Sequence, residues 1–167
     1  VQPTLAHRRR LGRRGGVPRP LGLLQPIHKL IVMPFIRTNV HHETTFQQRK
    51  SIVEGIHQAL IDAIGMPSDE LFNMITSYQS EDFFFSKTFN GYQRSEKPVV
   101  VEITMRRGRS DAMKRALYHH ISQNLQNNAQ ICSDDVFIFV HENDYSDWSV
   151  GGGKFAMAIQ QQVGHSG

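Results

Sequence analysis

Cysteine is almost missing from this chain: Cys132 stands alone among 167 residues. An internal disulfide is therefore excluded, and a reducing compartment, hence the cytoplasm, is the expectation. No apolar run approaches the ~18 residues of a membrane helix. G-x-x-x-x-G-K-[ST] and G-x-G-x-x-G are both absent, so nothing supports nucleotide binding. H-E-x-x-H is absent too, and with one Cys no metal site is expected. The pairs His41-His42 and His119-His120 do not change this, because adjacent residues point to different sides of a strand or helix. They read as surface or half-buried imidazoles.

Acidic residues are also missing from one stretch. Residues 1–33 hold seven basic residues (Arg8, Arg9, Arg10, Arg13, Arg14, Arg19 and Lys29) and no acid. Without them, 12 basic residues face 15 acidic ones, a net charge of about −3 for Pro34–Gly167, although the whole chain carries +4. The basic character belongs to the leading segment and gives no reason for the rest to bind nucleic acid. That segment is rich in Arg, Gly and Pro, and Leu21–Leu24 is too short for a secretory h-region. It reads in three ways: a disordered basic arm touching nucleic acid or a membrane, a transit peptide lacking the usual serines, or upstream sequence translated from a wrongly chosen start. The third is preferred, since a GTG start decodes literally as Val and Met33-Pro34 stands where foldable sequence begins. Ile27–Val32 could extend a strand backwards.

What is present downstream is a repeat. With 39% hydrophobic residues, the chain can fill one core. Ser68-Asp69-Glu70-Leu71-Phe72 recurs 65 residues later as Ser133-Asp134-Asp135-Val136-Phe137. At the same offset, Arg49-Lys50 matches Lys114-Arg115, and Ile56, Gln58 and Leu60 match Ile121, Gln123 and Leu125. Two tandem strand–helix–strand units follow, about 34–80 and 99–141. In the first, Ile36, Thr38 and Val40 alternate as a strand. Phe46, Val53, Ile56, Leu60 and Ile64 keep helical spacing, Thr44 or Thr45 caps the start, and Gly65 with Pro67 ends the helix. Leu71–Ser77 is extended again. In the second, Val99–Met105 is a nearly continuous apolar strand, which suggests a central position. Ser110 caps a helix bearing Met113, Leu117, Ile121 and Leu125, and Val136–Val140 is the last strand. Right-handed crossovers then give an α/β (α+β) fold: a four-stranded sheet with both helices on one face. Phe83-Phe84-Phe85 falls in the connector, where another subunit or a pocket would use it. Gly151-Gly152-Gly153 falls in a turn after Trp148.

Arg106-Arg107-Gly108-Arg109-Ser110-Asp111 sits where a strand ends and a helix begins. Guanidinium groups crowded at a helix N-terminus suit a small carboxylate or phosphate. A solvated basic turn is the plainer reading of three arginines.

Gly108-Arg109-Ser110-Asp111, with Lys114, resembles the strand-to-helix turn of oxalocrotonate tautomerase. Trp148-Ser149-Val150-Gly151-Gly152 resembles that family's C-terminal hairpin, which the resemblance implies over 145–157, and Pro after Met at a strand start resembles the amino-terminal proline of the tautomerase superfamily. The repeat is similar to the fused branch typified by malonate semialdehyde decarboxylase, over roughly Pro34 to Met157. The resemblance implies a cofactor-free enzyme, a homotrimer, and Pro34 as the catalytic amine. It implies that Arg107 and Arg109 grip a substrate carboxylate with Arg106 beside them. Glu70 matches an aspartate that handles water, although Asp69 is adjacent and Glu70 is one methylene longer. Trp148, Val150 and Met157 match pocket walls, Val150 and Met157 in place of aromatics.

A neutral α-amino group could take a proton from carbon beside a carbonyl and return it elsewhere. The function expected is keto–enol tautomerisation of a small oxo-carboxylate. The alternatives are decarboxylation or hydration of a malonate-semialdehyde-like acid at the same site, and a non-catalytic oligomer whose basic arm binds nucleic acid or protein. The plainer readings are a strand-initial proline for Pro34, a turn acid for Glu70 and Asp135, and a core or interface residue for Trp148. Arg49, Lys50, Lys114 and Arg115 are expected on solvated helix faces.

Overall fold

Alternating burial along two strands sets the architecture of this computed structural model, which describes residues 33–156. Ile27–Val32 and Met157 lie outside the described residues. In β1 (Phe35–His41), Ile36, Thr38 and Val40 are buried while Arg37 is exposed. In β3 (Val99–Arg106), Val99, Val101, Ile103 and Met105 are buried and the residues between them half-buried. Period-two burial of this kind puts one face of each strand into the core. β1 and β3 lie side by side and antiparallel, with Phe35 opposite Thr104 and Asn39 opposite Val100. Each is flanked by the strand of its own unit, giving the order β2–β1–β3–β4. β2 (Asn73–Tyr78) runs parallel to β1, and β4 (Val136–Asn143) parallel to β3.

The two helices repeat the 65-residue offset at both ends. α1 spans Phe46–Ile64 and α2 spans Asp111–Ala129. Thr45 Oγ1 accepts from Gln48 N at 3.1 Å, and Ser110 Oγ accepts from Met113 N at 3.2 Å. These side chains satisfy amide donors that the first helical turn leaves unpaired. Thr45, not Thr44, is the cap of α1; Gln48 closes a capping box by accepting from Thr45 N. Both helices end on a left-handed residue, Gly65 and Gln130. They pack against each other and, through Ile56, Leu60, Leu117, Ile121 and Leu125, against the sheet. Gly55 allows the close approach: a Cβ there would meet Asn124 Cβ at 3.2 Å and Leu125 Cδ1 at 3.3 Å. Asn124 Nδ2 donates to Gly55 O at 2.9 Å across the same contact.

Several elements differ from the sequence reading. β2 begins at Asn73, because Glu70 N bonds back to Pro67 O at 3.1 Å and only Phe72 O reaches β1, accepting from Ile36 N at 2.8 Å. β4 runs on to Asn143, since its pairing with β3 continues to Arg106↔Asn143. Over the described part of 145–157 there is no strand pair. A 3-10 turn at Tyr145–Asp147 leads into a loop closed by Ala156 N donating to Trp148 O at 3.1 Å, with Gly152 and Gly153 both at positive φ. Lys114 is not solvated: it is 22% exposed and pairs with Glu142 Oε2 at 3.1 Å. The ring centroids of His41 and His42 lie 4.3 Å apart, because β1 ends at His41 and the chain turns there. In the connector, Phe83 stacks on Tyr78 and Phe85 meets Phe137 edge-on at 5.3 Å, whereas Phe84 is 87% exposed. No helix among the described residues is long and apolar enough to cross a membrane.

Asp135 has a defined structural task. It is buried, and it accepts from Ser95 N at 2.7 Å and Ser95 Oγ at 2.8 Å, tying the connector to the start of β4. Asp135→Ala strands two donors and should cost about 1–3 kcal/mol in urea unfolding. Gly55→Leu overpacks the helix contact and should cost a further ~1–3 kcal/mol by the same measurement.

Candidate active site

The strand directions gather chemistry at one end of the sheet. β1 starts there, β2 starts there, and β3 and β4 end there. Continued by a residue or two, the strand registers set Pro34 opposite Met105 on one side and beside Leu71 on the other. Pro34, Glu70 and the Arg106–Arg109 turn thus fall at the same end of the sheet, although they are 36 or more residues apart in sequence. Pro34 is buried. Bonded to Met33, its nitrogen is an amide and has no basicity.

The arginine turn is organised from its backbone outward. Gly108 has φ 112°, a value that residues with a Cβ rarely adopt, so a glycine makes this turn. Arg107 N donates to Asn143 O at 2.9 Å, holding the turn against the end of β4. Arg109 Nη1 donates to Arg106 O at 2.9 Å. Arg109 is half-buried, and burial, then the neighbouring Arg106 charge, pulls its guanidinium below the ordinary value. It stays a cation. Arg107 reaches outward, its Nε 2.8 Å from Asp144 Oδ1 with both side chains well exposed. Arg106 lies over the Tyr145 ring, with Cζ 4.2 Å from the centroid, and its Nη1 donates to the Tyr145 hydroxyl at 3.3 Å.

The remaining predicted residues divide. Trp148 is half-buried, and its Nε1 donates to Asn143 Oδ1 at 2.7 Å, so the indole is fixed beside the turn. Val150 is half exposed on the loop that follows. Glu70 is half-buried while Asp69 is exposed, which makes Glu70 the acid turned toward the protein. Sequence reasoning missed Asn143, Asp144 and Tyr145, which together hold the arginines and the tryptophan. The signal available was the polar run following the apolar part of β4. Among the described residues no group of three or more His, Cys, Asp or Glu side chains could hold a metal ion. A cleft of about 490 Å3 lies beside the start of β4, lined by Tyr92, Arg94, Tyr118 and Asp134 among others; it shares no residue with this site.

Comparison with known proteins identifies the arrangement. Two family models, both described as tautomerase enzyme, match residues 34–88 and 70–151. The chain belongs to the tautomerase superfamily. A probable tautomerase of Bacillus subtilis (strain 168), YusQ, is 27% identical over 75% of this chain and 98% of its own length. Among solved structures, FG41 malonate semialdehyde decarboxylase inhibited by 3-bromopropiolate has 26% identity and a TM-score of 0.71, over 77% of this chain and 96% of that one. A malonate semialdehyde decarboxylase described with decarboxylase and hydratase activities gives 26% and 0.70, over 76% and 98%. A fused 4-OT described as a symmetric trimer, at 18% identity and a TM-score of 0.63 over 75% of this chain and 98% of that one, shares the fold. The paired β-α-β units of the chain are thus those of the superfamily.

Gly108 is the part of the site that a substitution probes most simply. Gly108→Ala forces a Cβ into the left-handed region and should cost about 1–3 kcal/mol in thermal or urea unfolding. An unchanged midpoint would mean the turn relaxes without penalty.

Proposed function

We propose that this protein is a cofactor-free tautomerase that uses Pro34 as acid and base on a small oxo-carboxylate or its enol. The observation that supports this reading is that the antiparallel register of β1 and β3 puts the start of β1 and the arginine turn at the same end of the sheet. The reading requires Pro34 as the first residue of the working chain. In support, Met33 has φ 28°, although a residue before proline favours extended backbone. An α-amino group ordinarily titrates near ~8, and apolar burial or neighbouring cations would lower that value for a free Pro34 amine.

The steps then follow. Neutral Pro34 takes a proton from the enol oxygen, the C=C electrons close onto carbon, and protonated Pro34 delivers a proton to that carbon. Arg109, with Arg106 beside it, holds the carboxylate and stabilises negative charge developing on the adjoining oxygen, while Arg107, the other arginine of the expected pair, is turned outward to Asp144. Trp148 and Val150 wall the site, with Met157 beyond the described residues. Assembly as a homotrimer is part of the reading, in keeping with the trimeric fused 4-OT of the same fold. So is a reducing, cytoplasmic setting, in keeping with one exposed cysteine.

A second reading draws on the likeness to the two malonate semialdehyde decarboxylase structures. There Pro34 stays protonated and polarises a 3-oxo group. The bond to the carboxylate breaks, its electrons form an enol, and carbon dioxide leaves. Glu70 would direct water if the same site hydrates.

Ketonisation of phenylenolpyruvate, followed by loss of the enol absorbance, tests the first reading. Arg109→Ala should lower kcat/KM by roughly 100-fold or more; an unaffected rate removes Arg109 from the site. Glu70→Gln should leave ketonisation within a few-fold while suppressing any hydration, and Asp69→Asn should alter neither. Release of carbon dioxide from malonate semialdehyde at a higher kcat/KM than ketonisation would favour the second reading.

A further inference from the structure

We infer that Tyr145 is a positioning residue: it holds Arg106 in place so that Arg106 and Arg109 together present positive charge to a carboxylate. The inference deepens the proposed function and rests on its reading of the arginine turn as a carboxylate site.

Three arginines within four residues repel one another, so the turn needs something to hold them. Arg107 is paired with a carboxylate, that of Asp144, which offsets part of its charge. Arg106 is held differently. The Tyr145 ring lies against its guanidinium at 4.2 Å, and the hydroxyl accepts from Nη1 at 3.3 Å. An aromatic face attracts a cation through its quadrupole and carries no net charge. It fixes the guanidinium and leaves the full positive charge available to an anion. Planar guanidinium suits both stacking and bidentate carboxylate pairing, so one group can do the two at once.

The effect passes to Arg109. Its Nη1 donates to the carbonyl oxygen of Arg106, the last residue of β3, so the placement of Arg106 and that of Arg109 are joined. Tyr145 itself opens the 3-10 turn Tyr145–Asp147, which is closed by Asp144 N donating to Asp147 Oδ2 at 2.8 Å. The ring therefore stands on a fixed turn directly after β4. Arg107 turns outward to Asp144, and the open cationic pair is Arg106 with Arg109.

The chain has one tryptophan, and its indole N–H bonds to Asn143 beside the turn, so a single indole NMR resonance reports on the site. The full chain is titrated with phenylacetate and with uncharged phenylacetamide, neither of which reacts. Wild type should bind phenylacetate and prefer it to phenylacetamide. Tyr145→Leu and Tyr145→Met, both made so that one folding failure is not decisive, should weaken phenylacetate about tenfold and leave phenylacetamide unchanged. Tyr145→Phe keeps the ring and should stay within about threefold of wild type. Wild-type affinity in the Leu and Met variants overturns the inference alone. Equal loss for both ligands also overturns it, since a collapsed pocket, not a displaced cation, would be the cause. Failure of wild type to bind phenylacetate overturns it together with the carboxylate reading of the turn. Intact, Tyr145-dependent binding, with no ketonisation by a chain beginning at Pro34, would contradict only the Pro34 chemistry.

Discussion

The antiparallel pairing of β1 with β3 is the contact on which everything else depends. Each β-α-β unit alone has a two-stranded parallel sheet and one helix, too little to bury an apolar face. Joining the units through β1 and β3 makes a four-stranded sheet and sets the helices together above it. The same pairing decides where chemistry is possible. Because the two central strands run in opposite directions, the start of one meets the end of the other. The residue before β1 is Pro34, and the residues after β3 are the arginine turn.

The internal repeat sharpens this point, because it creates a second, equivalent sheet end. At the 65-residue offset, Pro34 corresponds to Val99, Glu70 to Asp135 and Arg106 to His41. The second set is occupied by structure. Val99 is a buried strand residue within the chain, with no basic group to offer. Asp135 is taken by Ser95, and His41 is buried with its Nε2 2.8 Å from Ser80 Oγ. Asp135 and His41 thus fasten the connector between the two units.

Much of the fold was legible because the governing signals are local. Helical spacing, the Thr45 and Ser110 caps and the Gly65 stop fix α1 and α2, and the apolar run Val99–Met105 marks a central strand. The ends of β2 and β4 were not legible, since pairing across the sheet sets them, not propensity. The fate of Lys114 was hidden for a similar reason: Glu142, which pairs with it, comes from a strand 28 residues away. In the site, Gly108-Arg109-Ser110-Asp111 was legible as a turn rich in cations. The supports from Asn143, Asp144 and Tyr145 were not. Nothing in a polar run after a strand reveals which arginine it will reach.

Met33-Pro34 is where sequence, geometry and chemistry meet, since the same buried nitrogen is an inert amide or a base according to what precedes it. The most direct measurement is kcat/KM for ketonisation against pH, for a chain beginning at Pro34 and for the chain with residues 1–33 attached. The account predicts activity only in the first, rising with pH through the ionisation of its amine. Equal rates and equal pH profiles in the two proteins would contradict it.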